Sequence, residues 1–168
     1  MSRGGGTLPC VPQLDLTHNQ RRFLESRRTA TLATLSPGGR PRLVPICFIL
    51  ADSLHSPETL YSPLDEKPKG VADVRQLARV RDIQHRPEVS LLFEHWSEDW
   101  AELAWLRTQG SAELLEPHDD ALALLEAVDA LRAKYPQYQD QRIDVLPMIR
   151  IALDAVRSWS ASDARLDG

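Results

Sequence analysis

The chain contains 168 residues with a formal net charge of −4, and 42% of its residues are hydrophobic while 26% are charged. This length fits one domain with its own hydrophobic core, and the composition is ordinary for a globular protein. The acidic balance excludes a general nucleic-acid binder, and no apolar run is long enough to cross a membrane.

The cysteine and histidine content excludes several kinds of site. Cys10 and Cys47 lack Cys-x-x-Cys spacing, so neither a disulfide framework nor a thiolate zinc site is predicted. The histidines are dispersed without a ligand spacing, and we expect no metal. The N-terminus lacks the apolar stretch of a secretory signal, so we expect a cytoplasmic protein. Residues 1–16 predict a loose N-terminal extension, and residues 17–168 predict the folded domain.

The first third of the chain predicts a helix followed by a β-hairpin. Thr17 is expected to cap the helix, and the β-rich segment 29–35 ends at a strong turn signal, 36–39. The segment 43–50 is apolar on both faces apart from Pro45, which predicts a strand buried from two sides. Because proline cannot donate a ladder hydrogen bond, Pro45 requires an edge or a bulge.

The remaining elements bring the prediction to six strands and three helices. The further strands are predicted at 59–64, 88–94, 103–115 and 148–159. The third of these is interrupted near Gly110. Asp73 is expected to cap a helix over 74–85, and the clearest helix begins at Asp119 or Asp120. This order predicts a mostly β, α+β antiparallel domain, and closure into a small barrel would remove exposed strand edges.

Residues 67–86 form a cationic segment within an acidic chain. They hold six basic side chains against two acidic ones, a local charge of +4. A small polyanion, such as the phosphate of a cofactor, is the kind of ligand that such a site attracts. A solvated basic helix face is the alternative interpretation. The six basic residues are Lys67, Lys69, Arg75, Arg79, Arg81 and Arg86.

A set of phosphate donors is predicted where the third strand leads into this segment. Lys67 and Lys69 are held by an intervening proline, and Arg79 adds a forked guanidinium from the helix. Tyr61 and Ser62, at the end of the strand, add hydroxyl groups. The alternative is that neighbouring carboxylates absorb part of the charge, those of Asp65, Glu66 and Asp73.

Tryptophan supplies the flat apolar surface that a cofactor ring needs. Trp96 and Trp100 lie in a polar, acidic turn, so we expect them to line a ring-binding cleft or a subunit contact. Trp105 and Arg107 lie on one face of the predicted strand 103–115 and present a ring together with a cation. Trp159 is expected to pack only in the core.

These residues give the chain a resemblance to the pyridoxamine-phosphate-oxidase-like split-barrel family. It is most similar to the branch thought to use the deazaflavin coenzyme F420, and the resemblance extends over about residues 20–160. The string Asp-Glu-Lys-Pro-Lys at 65–69 and the string Phe-Glu-His-Trp-x-Glu-Asp-Trp at 93–100 are specific to that branch. The other segments that carry the resemblance are 30–35, 39–41, 43–45, 60–62, 79–83 and 87–93.

The resemblance implies a six-stranded antiparallel split β-barrel with flanking helices. It also implies a homodimer with the cofactor in a groove between the subunits. The positions that grip the phosphate in the family correspond to Tyr61, Ser62 and Arg79, joined here by Lys67 and Lys69. The stretch that contacts the ring, with backbone amides facing its pyrimidine edge, corresponds to Leu43, Val44, Pro45 and Ile46, and Trp100 is the expected aromatic contact.

The function implied by the resemblance is that of an oxidoreductase. Reduced F420 would pass a hydride to a small or planar acceptor, and no catalytic side chain is predicted. One alternative is an FMN-dependent enzyme, although the flavin oxidases carry an Arg-Lys pair where this chain has Ala78-Arg79. A second alternative is a carrier or sensor that binds a flavin or deazaflavin without turnover.

Overall fold

The computed structural model describes residues 14–51, 58–66, 70–162 and 166. None of the helices in these ranges has the length and apolar character that a membrane crossing requires. The helices are α1 (His18–Ser26), α2 (Ala78–His85) and α3 (Ala121–Lys134). The strands are β1 (Ala30–Leu35), β2 (Pro41–Ile46), β3 (Ile49–Leu50), β4 (Thr59–Pro63), β5 (Glu88–His95), β6 (Ala104–Leu115) and β7 (Met148–Ser160).

The seven strands form one antiparallel sheet in the order β2-β1-β5-β6-β7-β4-β3. The two edge strands, β2 and β3, are consecutive in the chain and are separated only by Cys47 and Phe48. The sheet must therefore curl until its edges meet at this crossover. Counted as one interrupted strand, β2 and β3 reduce the total to the six strands predicted, and the predicted antiparallel, mostly β architecture is confirmed.

Short-range signals determine several of the element ends. Thr17 caps α1 through a capping box. Its hydroxyl accepts from the Gln20 N–H at 3.2 Å, and the side-chain oxygen of Gln20 accepts from the Thr17 N–H at 3.1 Å. Asp120 caps α3. Gly39, with φ of 77°, allows the tight turn between β1 and β2. These predicted boundaries are confirmed.

The predicted helix over 74–85 is wrong at its start. Asp73 caps a 3-10 turn, Val74–Gln76, and α2 begins only after Leu77. Leu77 has a ψ of 141°, which ends the first turn, and its side chain is buried in the barrel core. The stabilisation from burying the Leu77 side chain therefore outweighs the stabilisation from a continuous helix through this position.

The core has two layers, one inside the barrel and one under α3. Leu32, Phe93 and Leu106 lie inside the barrel together with Val80 and Ile83 of α2, which covers part of it. The second layer packs α3 against β3, β4 and β7 through Ile49, Tyr61, Leu124, Val128, Leu131 and Met148. The strand β4 is consequently buried along its whole length.

The expectation that segment 43–50 is buried from two sides is wrong. The segment is divided between the two edge strands, and no helix covers the outer face of β2 among the described residues. Leu43 is 70% exposed and Pro45 is exposed, whereas Ile46 is buried. The predicted edge position of Pro45 is confirmed, because β2 ends the sheet.

The predicted interruption near Gly110 is confirmed as a register shift between Gln109 and Gly110, where β6 crosses β7. A Cβ atom on Gly110 would lie 2.2 Å from the carbonyl oxygen of Ala152. The close approach of the two backbones explains why this position is glycine.

The crossover between β2 and β3 is held by the side chain of Tyr135. Its hydroxyl accepts from the Phe48 N–H at 3.1 Å and lies within donating distance of the carbonyl oxygens of Phe48 and Arg28, at 2.8 and 2.9 Å. Burial raises the pKa of Tyr135 to about 12. The adjacent Lys134 places its Nζ 4.0 Å from the centre of the Phe48 ring. Burial, followed by the charge of Arg28, lowers the pKa of Lys134 to about 8.

Because the pKa of Lys134 is lowered, we predict that the free energy of unfolding increases with pH above about 8. An unfolded lysine titrates near pH 10.4, so in this window the unfolded chain holds a proton that the folded chain has released. Because the amine is only partly buried, we expect a gain of about 1–2 kcal/mol by about pH 10 in urea unfolding. Beyond that pH, Tyr135 opposes further gain. Lys134→Met should abolish the gain, and an unchanged pH profile in this variant would contradict the assignment.

Candidate functional site

Arg79 is the cationic side chain of the segment 67–86 that fits a bound anion best among the described residues. It lies in the first turn of α2, and its side chain is partly buried. Within the described part of the chain, its buried Nε has no hydrogen-bond partner. Burial lowers the pKa of Arg79, and the charge of Asp65 partly offsets that effect. A buried donor without a partner is costly, so this position fits an anionic ligand.

Arg75 is occupied by carboxylates. Its Nε and one terminal nitrogen bond Glu116 at 2.8 and 2.6 Å, and the other terminal nitrogen lies 3.3 Å from Asp73. The bond to Glu116 raises the pKa of Arg75. The alternative of internal salt pairing therefore holds for this member of the cationic segment. Arg81 and Arg86 are exposed, and Lys67 and Lys69 lie outside the described residues.

Asp82 does not lie with the exposed Arg81 and Arg86 on the outer face of α2. The side chain is fully buried, accepts from the Thr34 hydroxyl at 2.9 Å and pairs with Arg42 at 2.8 Å. The sequence carried one signal of this contact. Thr34 continues the inward alternation of Ala30 and Leu32 on β1, so its hydroxyl required a polar partner inside the barrel.

Tyr61 and Ser62 lie on opposite faces of β4, as successive strand residues must. Tyr61 packs under α3, while Ser62 is 2% exposed on the face that Leu60 directs into the barrel. The structure therefore does not bring the two hydroxyls to one surface. Tyr61 lines a second cavity of about 660 Å³ together with Arg150. The charge of Arg150 is balanced there by Glu113 at 2.8 Å and by Asp120 at 3.3 Å.

The predicted ring-contacting stretch lies on the free edge of the sheet. Val44 and Ile46 pack into the barrel, whereas Leu43 and Pro45 face outward. The side of β2 that faces away from β1 has no partner strand among the described residues. Backbone groups of this stretch are thus open to a ligand, although Pro45 offers no N–H.

An apolar groove of about 590 Å³ lies on the outer face of β1, β5, β6 and β7, next to β2. We call it the tryptophan groove. Trp105 and Trp159 face each other directly across β6 and β7, so the expectation that Trp159 packs only in the core is wrong. Sequence reasoning missed it because Trp159 lies 54 positions from Trp105 in the chain. The groove is defined by Leu43, Leu92, Trp96, Trp105, Arg107 and Trp159.

Trp100 lies outside this groove. It begins the 3-10 turn Trp100–Glu102 and is 73% exposed, and Trp96 contributes to the rim with 68% exposure. Trp105 and Arg107 share the groove face, as their spacing predicted. Among the described residues there is no group of three or more His, Cys, Asp or Glu side chains arranged to hold a metal ion.

Comparison with known proteins places this geometry in context. Residues 16–160 match the family model described as pyridoxamine 5'-phosphate oxidase. None of the curated proteins matches the chain significantly.

Three solved structures illustrate the likeness of fold. The conserved hypothetical protein Rv2991 from Mycobacterium tuberculosis has a TM-score of 0.67 at 20% identity, covering 92% of this chain and 91% of that one. The heme storage protein HutZ from Vibrio cholerae has a TM-score of 0.60 at 14% identity, covering 88% and 95%. An F420 reductase has a TM-score of 0.54 at 17% identity, covering 82% and 94%. At these identities the likeness concerns the fold alone.

Proposed function

Because the chain belongs to the pyridoxamine 5'-phosphate oxidase family, we propose that it is an oxidoreductase that uses the deazaflavin coenzyme F420 to reduce a small or planar acceptor. The observation that carries the proposal is the buried Nε of Arg79, which has no hydrogen-bond partner among the described residues and fits the phosphate of a bound cofactor. The F420 reductase among the similar folds supports the choice of cofactor. When bound, F420 supplies the hydride.

The phosphate would be held by Arg79 with Lys67 and Lys69. Two compact ammonium groups and one forked guanidinium match the oxygens of a phosphate. The carboxylates of Glu116 and Asp73 are already bonded to Arg75. The two side-chain hydroxyls predicted to bind the phosphate with Arg79 and the lysines are less well placed. Ser62 faces the barrel, and Tyr61 lies against α3 beside Arg150.

The ring would lie along β2, where residues 43–46 offer backbone groups at an edge with no partner strand among the described residues. Leu43 belongs to both this stretch and the tryptophan groove, so a ring on β2 borders the groove directly. An acceptor in the groove would then lie next to the reactive ring. Proximity of this kind is the main contribution that a protein makes when the cofactor carries the chemistry.

We further propose that the protein acts as a homodimer whose second copy covers this groove. Four large apolar side chains are exposed there, and no helix of the described residues covers them, namely Leu43, Leu92, Trp96 and Trp159. A contiguous apolar surface of this kind marks an interaction site. Coverage by a second copy would also exclude water from the ring and its acceptor.

Purified protein titrated with F420 and, separately, with FMN tests the cofactor. We expect binding of F420 and no retained yellow flavin. Retention of a yellow flavin with no response to F420 would refute the proposal and favour the FMN alternative. Tight F420 binding without turnover of any acceptor in a broad panel would instead favour the carrier, a role compatible with a fold that a heme storage protein shares.

Replacement of Arg79 by methionine should weaken F420 binding by about tenfold or more, because one charged hydrogen bond to the phosphate is lost. The free energy of unfolding should remain the same or increase, since the donor that is removed is partly buried and has no partner in the described part of the chain. Titration and urea unfolding measure the two effects. Arg81→Met, an exposed cation on the same helix, is the matched control and should change neither. A large loss of stability with unchanged affinity would show that Arg79 has a structural role.

A further inference from the structure

Two arginines face each other at the edge of the tryptophan groove. Arg107 on β6 and Arg157 on β7 are direct cross-strand partners, and both are exposed. Like charges directly opposite in a sheet destabilise it. Within the described ranges neither guanidinium forms an ion pair, and Arg157 bonds only the carbonyl of Val156, at 3.3 Å. No ion pair of the described residues therefore accounts for this pair.

The neighbouring row of the same face carries two indoles. Trp105 and Trp159 are direct partners on these two strands, and each lies two residues from one of the arginines. Side chains two residues apart on a strand share a face and lie about 7 Å apart. The groove therefore presents a flat aromatic surface immediately beside two forked cations. Glu94, the β5 partner of Trp105, is the carboxylate diagonal to Arg107 and sits on the aromatic row.

We propose that the tryptophan groove binds a planar aromatic anion, with its ring on Trp105 and Trp159 and its carboxylate between Arg107 and Arg157. Arginine binds carboxylates through paired N–H groups, and an aromatic ring stacks on indole. The site is distinct from the phosphate donors near Arg79. In naming this ligand as the hydride acceptor, the inference rests on the proposed function, and it narrows the acceptor class to acidic aromatic molecules.

The positive charge of Arg107 and Arg157 favours this ligand over a neutral aromatic molecule or a second copy of the chain. A neutral aromatic molecule would satisfy the indoles and leave two facing guanidiniums unmatched. A second copy would satisfy them only with its own carboxylates, and it would then compete with the ligand. A small anion satisfies both halves of the site, and a second copy can still cover it.

Binding of 2-naphthoate and of 2-naphthamide, which differ in charge but share a ring, tests the proposal by quenching of tryptophan fluorescence. We expect naphthoate to bind at least about tenfold more tightly than the amide. In the Arg107→Gln, Arg157→Gln double variant this preference should fall to about twofold or less. Arg22→Gln, an exposed cation on α1 outside the groove lining, should retain the preference.

Equal affinities of the two compounds for the unaltered protein would overturn the proposal without any variant. Survival of the naphthoate preference in the double variant would overturn it as well. If the double variant also loses the dimer while it keeps the preference, the arginines belong to the subunit contact. Each single variant replaces the double one if the latter does not fold.

Titration with F420 separates this inference from the proposed function. Naphthoate preference without F420 binding would refute the cofactor and leave the anion site standing, whereas F420 binding without the preference would do the reverse.

Discussion

Gly110→Ala is expected to destabilise the protein by about 3 kcal/mol or more, or to prevent folding. The added Cβ would lie 2.2 Å from the carbonyl oxygen of Ala152 and 3.1 Å from the Cα of Leu153. Both are backbone atoms, so the clash cannot be relieved by a rotamer change. The long β6 and β7 strands would have to separate at the register shift. Urea unfolding measures the loss.

Gly38→Ala is the matched control for this prediction. The same methyl group at Gly38 would meet no atom within 4 Å, and the residue does not require a left-handed backbone. We expect a change within about 0.5 kcal/mol in this turn. If the two variants unfold at the same urea concentration, the close approach of β6 and β7 does not constrain position 110.

Arg42→Met is expected to lower the free energy of unfolding by about 3 kcal/mol, far more than replacement of a half-exposed arginine normally costs. The reason is its partner, because the carboxylate of Asp82 has no exposed surface and would lose its cation. The hydroxyl of Thr34 would remain its only hydrogen-bond donor given by the described residues. A buried charge without a counter-charge is strongly unfavourable.

Asp82→Asn in the Arg42→Met background should recover part of this loss, since a neutral amide no longer needs the cation. Arg40→Met provides the control, because Arg40 is exposed in the same hairpin and only its backbone forms hydrogen bonds within the described residues: its N–H donates to the Ser36 hydroxyl and its carbonyl oxygen accepts from the Ser36 N–H. It should change stability by less than about 0.5 kcal/mol. If Arg42→Met loses no more free energy of unfolding than Arg40→Met, the pair of Arg42 and Asp82 does not stabilise the fold.

The sequence predicted features that depend on near neighbours. The capping box of Thr17 involves a partner three residues away, and the cap of α3 by Asp120 is equally local. The interruption at Gly110 followed from a glycine inside a strand pattern. The alternation of strand faces also placed Trp105 and Arg107 correctly on one surface.

Features that depend on distant neighbours were not predictable in this way. Arg75 bonds Glu116 from 41 positions away, and Asp82 bonds Thr34 from 48 positions away. Which face of β2 is covered depends on the order of all seven strands, so apolar content alone gave the wrong burial for 43–50. At the site, the roles of Arg79, Lys67, Lys69 and Trp100 in binding a cofactor all stay predictions.

The two-residue crossover at Cys47 and Phe48 has a consequence for divergence among relatives. Tyr135, at the end of α3, fixes the position of Phe48, and Phe48 directly follows the strand proposed to carry the ring. Substitutions beneath α3 can therefore shift β2 by small amounts without altering any residue that touches a ligand. Homologous chains could acquire new selectivity through changes in this remote layer, while the surface that meets their ligands keeps its amino acids.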